Sequence, residues 1–241
     1  MHIELPEFEQ IIEYATSFYY TKIILWISVL YTIITIKKKQ LVSNEYRPLV
    51  IYLILELTLG LIDNFISPNR NISLQSRLYF INFSNILIAV FEFNFFSSLH
   101  NRVFNYKNKN INKVLFLVLL TLSIIILLYT SFIDAREMLR LTYLLGSLEF
   151  LLIIYLSVDY FKSLIHEMPK ISLFEKGSFW CFLGALFYCS VSAPFYVVGP
   201  HFPTGNELFD SLLPAVLYYM PFSFLFFCIS KGLTCKTPIW N

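Results

Sequence analysis

The sequence predicts an all-α membrane protein, a single domain built as a seven-transmembrane-helix bundle with its N-terminus outside and its C-terminus in the cytoplasm. Three observations predict it. Seven separate apolar stretches fill well over half of the 241 residues, each near the roughly 20 residues that cross a hydrocarbon core of about 30 Å. Mean hydropathy is +0.64 and charged residues make up 14% of the chain, against about 25% in a soluble domain. Lysine and arginine crowd into alternate connectors. In lipid every backbone group must be bonded within the protein, so apolar stretches of this length are helices.

The first span runs from Phe18 to Ile36. Residues 1–17 before it, with Glu4, Glu7, Glu9 and Glu13, form an acidic, amphipathic external segment instead of the basic start of a cleavable signal, so the first span is expected to remain as the membrane signal. The second span covers Leu49 to Ile66, the third Leu78 to Leu99, the fourth Val114 to Phe132 and the fifth Leu141 to Phe161. The sixth runs from Phe179 to Val198 and the seventh from Leu208 to Ser230, followed by a short cytoplasmic tail, residues 231–241. The connectors, such as Lys37 to Pro48 and Asn101 to Lys113, are too small to hold a further domain. Aromatic residues, 18% of the chain, suit rings that fill the bundle and anchor helix ends at the interfaces.

Orientation follows from the basic residues. The connectors after the first, third and fifth spans, with the tail, hold 13 Lys and Arg, and the other side holds five. The richer side is cytoplasmic by the positive-inside rule. A net charge of +2 gives no reason to expect nucleic acid. The partners expected are the lipid bilayer and a cytoplasmic or membrane signalling protein.

Polar groups within the spans are the candidate functional residues, because ionisable groups in lipid cost roughly 2.5–3.5 kcal/mol at a helix centre and normally face the bundle interior. Tyr52, Glu56 and Asp63 share one face of the second span, at spacings of four and seven. Asn82, Asn85 and Glu92 fall within an arc of about 80° on the third. Thr142, Glu149 and Asp159 follow one another on the fifth at seven and ten. Glu56, Glu92 and Glu149 lie in the middle third of the membrane with no Lys or Arg at matching depth, so they are expected to be neutral hydrogen-bond donors and candidates for a proton or hydrogen-bond relay. Asp63, Asn82, Asn85, Glu149 and Tyr196 are the candidate lining of a ligand-binding cavity open to the outside.

Pro194 in the sixth span and Pro214 and Pro221 in the seventh each remove a backbone hydrogen bond, which marks them as candidate hinges. Cys181, Cys189, Cys228 and Cys235 lie in or beside the last two spans without a CxxC pair or a histidine at ligand spacing, and read as small apolar fillers; neither a metal nor a cofactor is expected. His100 and His166 fall in cytoplasmic connectors and His2 and His201 outside, all expected as solvated loop histidines. Paired catalytic aspartates, a Ser nucleophile with His and an HExxH helix are absent, and Lys231 stands at the cytoplasmic end of its span, too far from mid-membrane for a retinal Schiff base. No enzymatic activity is expected.

Between Phe91 and Tyr196 the chain carries Glu92-Phe93 with Phe95-Phe96, then Glu149, Tyr155-Leu156-Ser157, Tyr160-Phe161 and Pro169, then Phe179-Trp180, Gly184, Leu186-Phe187-Tyr188 and Pro194. In this order the segment resembles the seven-helix membrane sensor regions that precede histidine kinase domains in Bacteroidota bacteria. The resemblance implies a sensor-type module in a bacterial inner membrane. Residues 231–241 contain neither a phospho-acceptor histidine segment nor a Gly-rich ATP lid, so a stand-alone module that signals through a partner is expected. A small proton- or solute-coupled transporter or channel component, using Glu56, Glu92 and Glu149, is the alternative.

Overall fold

The computed structural model describes residues 19–39, 46–66, 72–129, 135–167, 172–198 and 215–235. Within them every regular element of any length is helical: α1 (Tyr19–Lys38), α2 (Arg47–Ile66), α3 (Leu74–Val103), α4 (Lys109–Tyr129), α5 (Ala135–Glu167), α6 (Gly177–Val198) and α7 (Met220–Leu233). A 3₁₀ turn at Leu173–Glu175 precedes α6, and a π-helical turn at Ala215–Tyr219 runs into α7. Five helices, over Gln75–Val103, Lys109–Tyr129, Glu137–His166, Gly177–Val197 and Val216–Leu233, are long and apolar enough to cross a membrane. The external segment, His2, His201 and Pro214 lie outside the described residues.

The helices outrun the apolar stretches. α3 has 30 residues and α5 has 33, about 45 and 50 Å at 1.5 Å per residue, well beyond a hydrocarbon core. Hydropathy ends where polar side chains begin, but polar side chains such as Asn, Lys and Arg continue a helix into the interface. Ser73 starts α3 early by capping it, its hydroxyl accepting from the Ser76 N–H at 3.2 Å. At the other end, what reads in sequence as the Asn101–Lys113 connector is mostly helix, and the turn between α3 and α4 is residues 104–108. Asn105 (φ 48°) and Tyr106 (φ 62°) both adopt the left-handed conformation there, a costly choice for tyrosine. The Tyr106 N–H, donating to the Asn101 carbonyl at 2.6 Å, helps to hold it.

Packing centres on α3, α5, α6 and α7, with α1 against α7, α2 against α3 and α4 at the edge against α3 and α5. The lipid-like exterior is plain on α1, where Ile23, Ile24, Ile27, Leu30, Tyr31 and Ile34 are exposed. Lipid tails are as apolar as leucine, so helix association rests on close fit and hydrogen bonds. Aromatic rings supply much of the fit: Tyr160 stacks on Phe182 at 4.4 Å and Tyr188 on Phe222 at 4.7 Å. Small residues let α6 and α7 touch. A Cβ on Gly184 would meet the Cys228 Cβ at 2.7 Å, and one on Gly232 would meet the Gly177 carbonyl oxygen at 2.6 Å. Cys181 and Cys228 are buried in this seam as free thiols, and Cys189 is a buried free thiol elsewhere on α6. Thr32 joins α1 to α7 through the Ser230 hydroxyl at 2.7 Å.

Candidate functional site

Seven-residue spacing puts Asn85 and Glu92 on one face of α3, and Thr142 and Glu149 on one face of α5. The two faces meet around a small cavity that Tyr188 and Tyr196 of α6 and Tyr218 of the π turn complete. Its room for water centres is about 20 Å³, enough for one water molecule and far below the 300–1,000 Å³ of pockets for organic ligands.

Close approach of α5 and α6 depends on Gly146, one turn before Glu149. A Cβ there would stand 2.6 Å from the Tyr196 ring, so glycine is what lets that ring lie against α5. Tyr196 then packs edge-on to Phe150 at 4.9 Å and lies 5.7 Å from Tyr218.

The chemistry of the lining is one-sided. Glu92 and Glu149 are 2% and 3% exposed, and Glu92 Oε1 and Glu149 Oε1 are buried without a hydrogen-bond partner among the described residues. Glu56, behind Glu92 on α2, is buried with Oε2 in the same condition, and the buried Tyr52 hydroxyl of α2 is a donor placed beside Glu92. Glu92 is the electrostatic neighbour of both other acids. Buried polar atoms left unbonded cost about 1–3 kcal/mol each, so natural proteins rarely leave several together without an occupant.

Of the five residues read from sequence as cavity lining, Asn85, Glu149 and Tyr196 stand on this cavity. Asn82 is buried a turn beyond Asn85, its amide donating to the Leu78 carbonyl of its own helix at 2.9 Å. Asp63, near the end of α2, is half-buried beside Tyr219. Neither belongs to the cavity lining. Glu92 joins Glu149 there, so the relay and ligand sets share one place, with Glu56 behind it.

Of the candidate hinges, Pro194 is exposed within a continuous α6 and Pro221 is buried at the start of α7. Pro221 is the second residue of α7, where a missing N–H breaks no intrahelical bond. The Ser192 hydroxyl of α6 donates to the Leu217 carbonyl at 2.7 Å. The π turn that carries Tyr218 is thus tied to α6 at the cavity wall. Single turns of π type are frequent at functional sites.

A second polar cluster lies further along α3 and α5. His100 is not a solvated loop histidine: it is 1% exposed and sits inside α3. Its Nε2 lies 3.0 Å from Asp159 Oδ2 of α5, and its Nδ1 lies 3.0 Å from the amide nitrogen of Asn112 on α4. Nδ1 therefore accepts, which leaves Nε2–H to donate to Asp159. Asn108 also donates to Asp159 at 3.2 Å, and Asn112 to Asn101 Oδ1 at 2.7 Å. The ring packs against Phe104 and Phe182. The signal in sequence is helical spacing, since Phe93, Phe96 and His100 continue one buried face past the end of the apolar stretch.

No family model, curated protein or solved structure matches the chain.

Proposed function

We propose that this is a receptor-like or sensory integral membrane protein that acts through a partner and has no catalytic activity of its own. In this reading seven spans cross a bacterial inner membrane, α1 and α2 included, with the N-terminus outside and the tail in the cytoplasm. One observation carries it: the buried acids Glu92 and Glu149 face a water-sized cavity whose far wall is Tyr196 and the π turn that leads into α7. What occupies the cavity bears directly on the helix that runs to the tail. The 13 to five distribution of Lys and Arg supports the orientation. Stand-alone sensor modules of the Bacteroidota kinase type offer the matching architecture, by resemblance.

A proton-coupled transporter or channel component is the second reading, favoured by Glu92 standing between Glu56 and Glu149. One experiment addresses both. With a photo-crosslinking residue at Thr234 and a reporter fused after Asn241, the tail should be cytoplasmic and should form a discrete adduct in the native host. Glu149→Gln and Glu92→Gln should change the adduct yield several-fold while the protein stays folded. An external tail, or an adduct indifferent to both changes, contradicts the receptor reading. A pH-driven flux in proteoliposomes that both changes abolish establishes the second.

A further inference from the structure

The cavity, about 20 Å³, has room for a water and is far too small for an organic ligand. Two buried acceptor oxygens, Glu92 Oε1 and Glu149 Oε1, have no partner among the described residues. Thr142 beside them spends its hydroxyl proton on the Met138 carbonyl at 3.0 Å, so it has none to give. The titratable groups facing the pair are Tyr52 and Glu56 from α2, Tyr188, Cys189 and Tyr196 from α6 and Tyr218 from the π turn. None carries a positive charge, and among the described residues no Lys, Arg or His lines the cavity.

Two ionised carboxylates in such a place would have neither a counter-charge nor bulk water, at several kcal/mol apiece. Protonation removes that cost. It also turns one carboxyl into a donor, which a lone water needs, since a buried water is held by about three bonds. An acid, a water and a second carboxyl oxygen then form a closed chain in which both orphaned oxygens are bonded.

We propose that the Glu92–Glu149 pair is a proton-binding site with one built-in water, at least one of the two carboxyls holding a proton at neutral pH and passing its hydrogen bond through the water to the other. The inference rests on the reading of this cavity as the receptor site and names its ligand: the proton, not an organic solute. Binding makes the O–H bond on a carboxyl oxygen, and release returns that proton to water. Glu56, behind Glu92, is the neighbouring acid whose protonation is linked to that of the pair.

The test is infrared difference spectroscopy of the full chain in nanodiscs at neutral pH. Wild type should show a protonated-carboxyl C=O band that shifts in D₂O and moves in protein labelled with ¹³C-glutamate. At least one of Glu92→Gln and Glu149→Gln should remove a discrete component of it, and the other should remove or shift one. The isotope label assigns the band to glutamate, and Glu56→Gln, which should leave a protonated component in place, separates the pair from Glu56. The proposal is overturned when every glutamate absorbs as carboxylate at neutral pH. It is equally overturned when the protonated band appears in choline chloride and vanishes in sodium chloride, which marks a cation site. The band and the Thr234 adduct fail separately: a band with an indifferent adduct retires the receptor and keeps the proton site, and a responsive adduct with no band does the reverse.

Discussion

α3 and α5 carry two polar sites, one around Glu92 and Glu149 and one around His100 and Asp159. The pairs are eight residues apart on α3 and ten on α5, about 12 and 15 Å along the axes, and the same two helices present both. Yet they differ in how fully they are bonded. At His100 both ring nitrogens are bonded, Asp159 accepts from two donors, the ring is walled by Phe104 and Phe182, and Asn112 Oδ1 alone of the cluster's named side-chain atoms is left unbonded among the described residues. At Glu92 and Glu149 acid oxygens are left unbonded around a water-sized gap. A bundle in lipid gains stability from hydrogen bonds between helices only when they are complete. The bonded cluster therefore reads as a clamp that fixes the turn between α3 and α4 to α5, and the unbonded one as a place kept for an occupant.

The largest effect expected on this comparison is at the clamp. His100→Ala leaves Asp159 and Asn112 short of partners and opens a void, so unfolding in mixed micelles should become easier by about 2–4 kcal/mol. A loss below about 1 kcal/mol would show the imidazole to be dispensable to the clamp. A smaller effect is expected at the cavity wall. Gly146→Ala should push the Tyr196 ring off α5 and cost about 1–2 kcal/mol, because the aromatic side chain can give way. In the infrared experiment its protonated-carboxyl band should shift. An unshifted band would mean that Tyr196 does not bound the carboxyl pair.

The contrast between the two sites also marks where the sequence was legible. Burial of Glu56, Glu92 and Glu149 follows from composition alone, since acids without cations in apolar stretches have nowhere to go but inward. Seven-residue spacing likewise places Asn85 with Glu92 and Thr142 with Glu149. His100 was hidden because its neighbours Asn101 and Arg102 end the hydropathy signal while the helix itself runs on to Val103. The cavity's closure was hidden for a different reason. It depends on Gly146 meeting Tyr196 and on Ser192 bonding the Leu217 carbonyl. Such pairings lie across helices and have no periodicity to read. Pro221 looks like a mid-span break in sequence and stands in the first turn of α7 in the fold.

Thermal unfolding in one nanodisc preparation at neutral pH tests the division between clamp and site most directly, with Asn112→Ala set against the Glu92→Gln, Glu149→Gln double variant. Asn112→Ala removes the bonds to His100 and Asn101 and should lower Tm by about 4–10 °C, whereas the double variant, which keeps side-chain volume and adds no charge, should stay within about 2 °C of wild type. A double variant that falls as far as Asn112→Ala would contradict the account, because the acids would then be holding the bundle together as the clamp does.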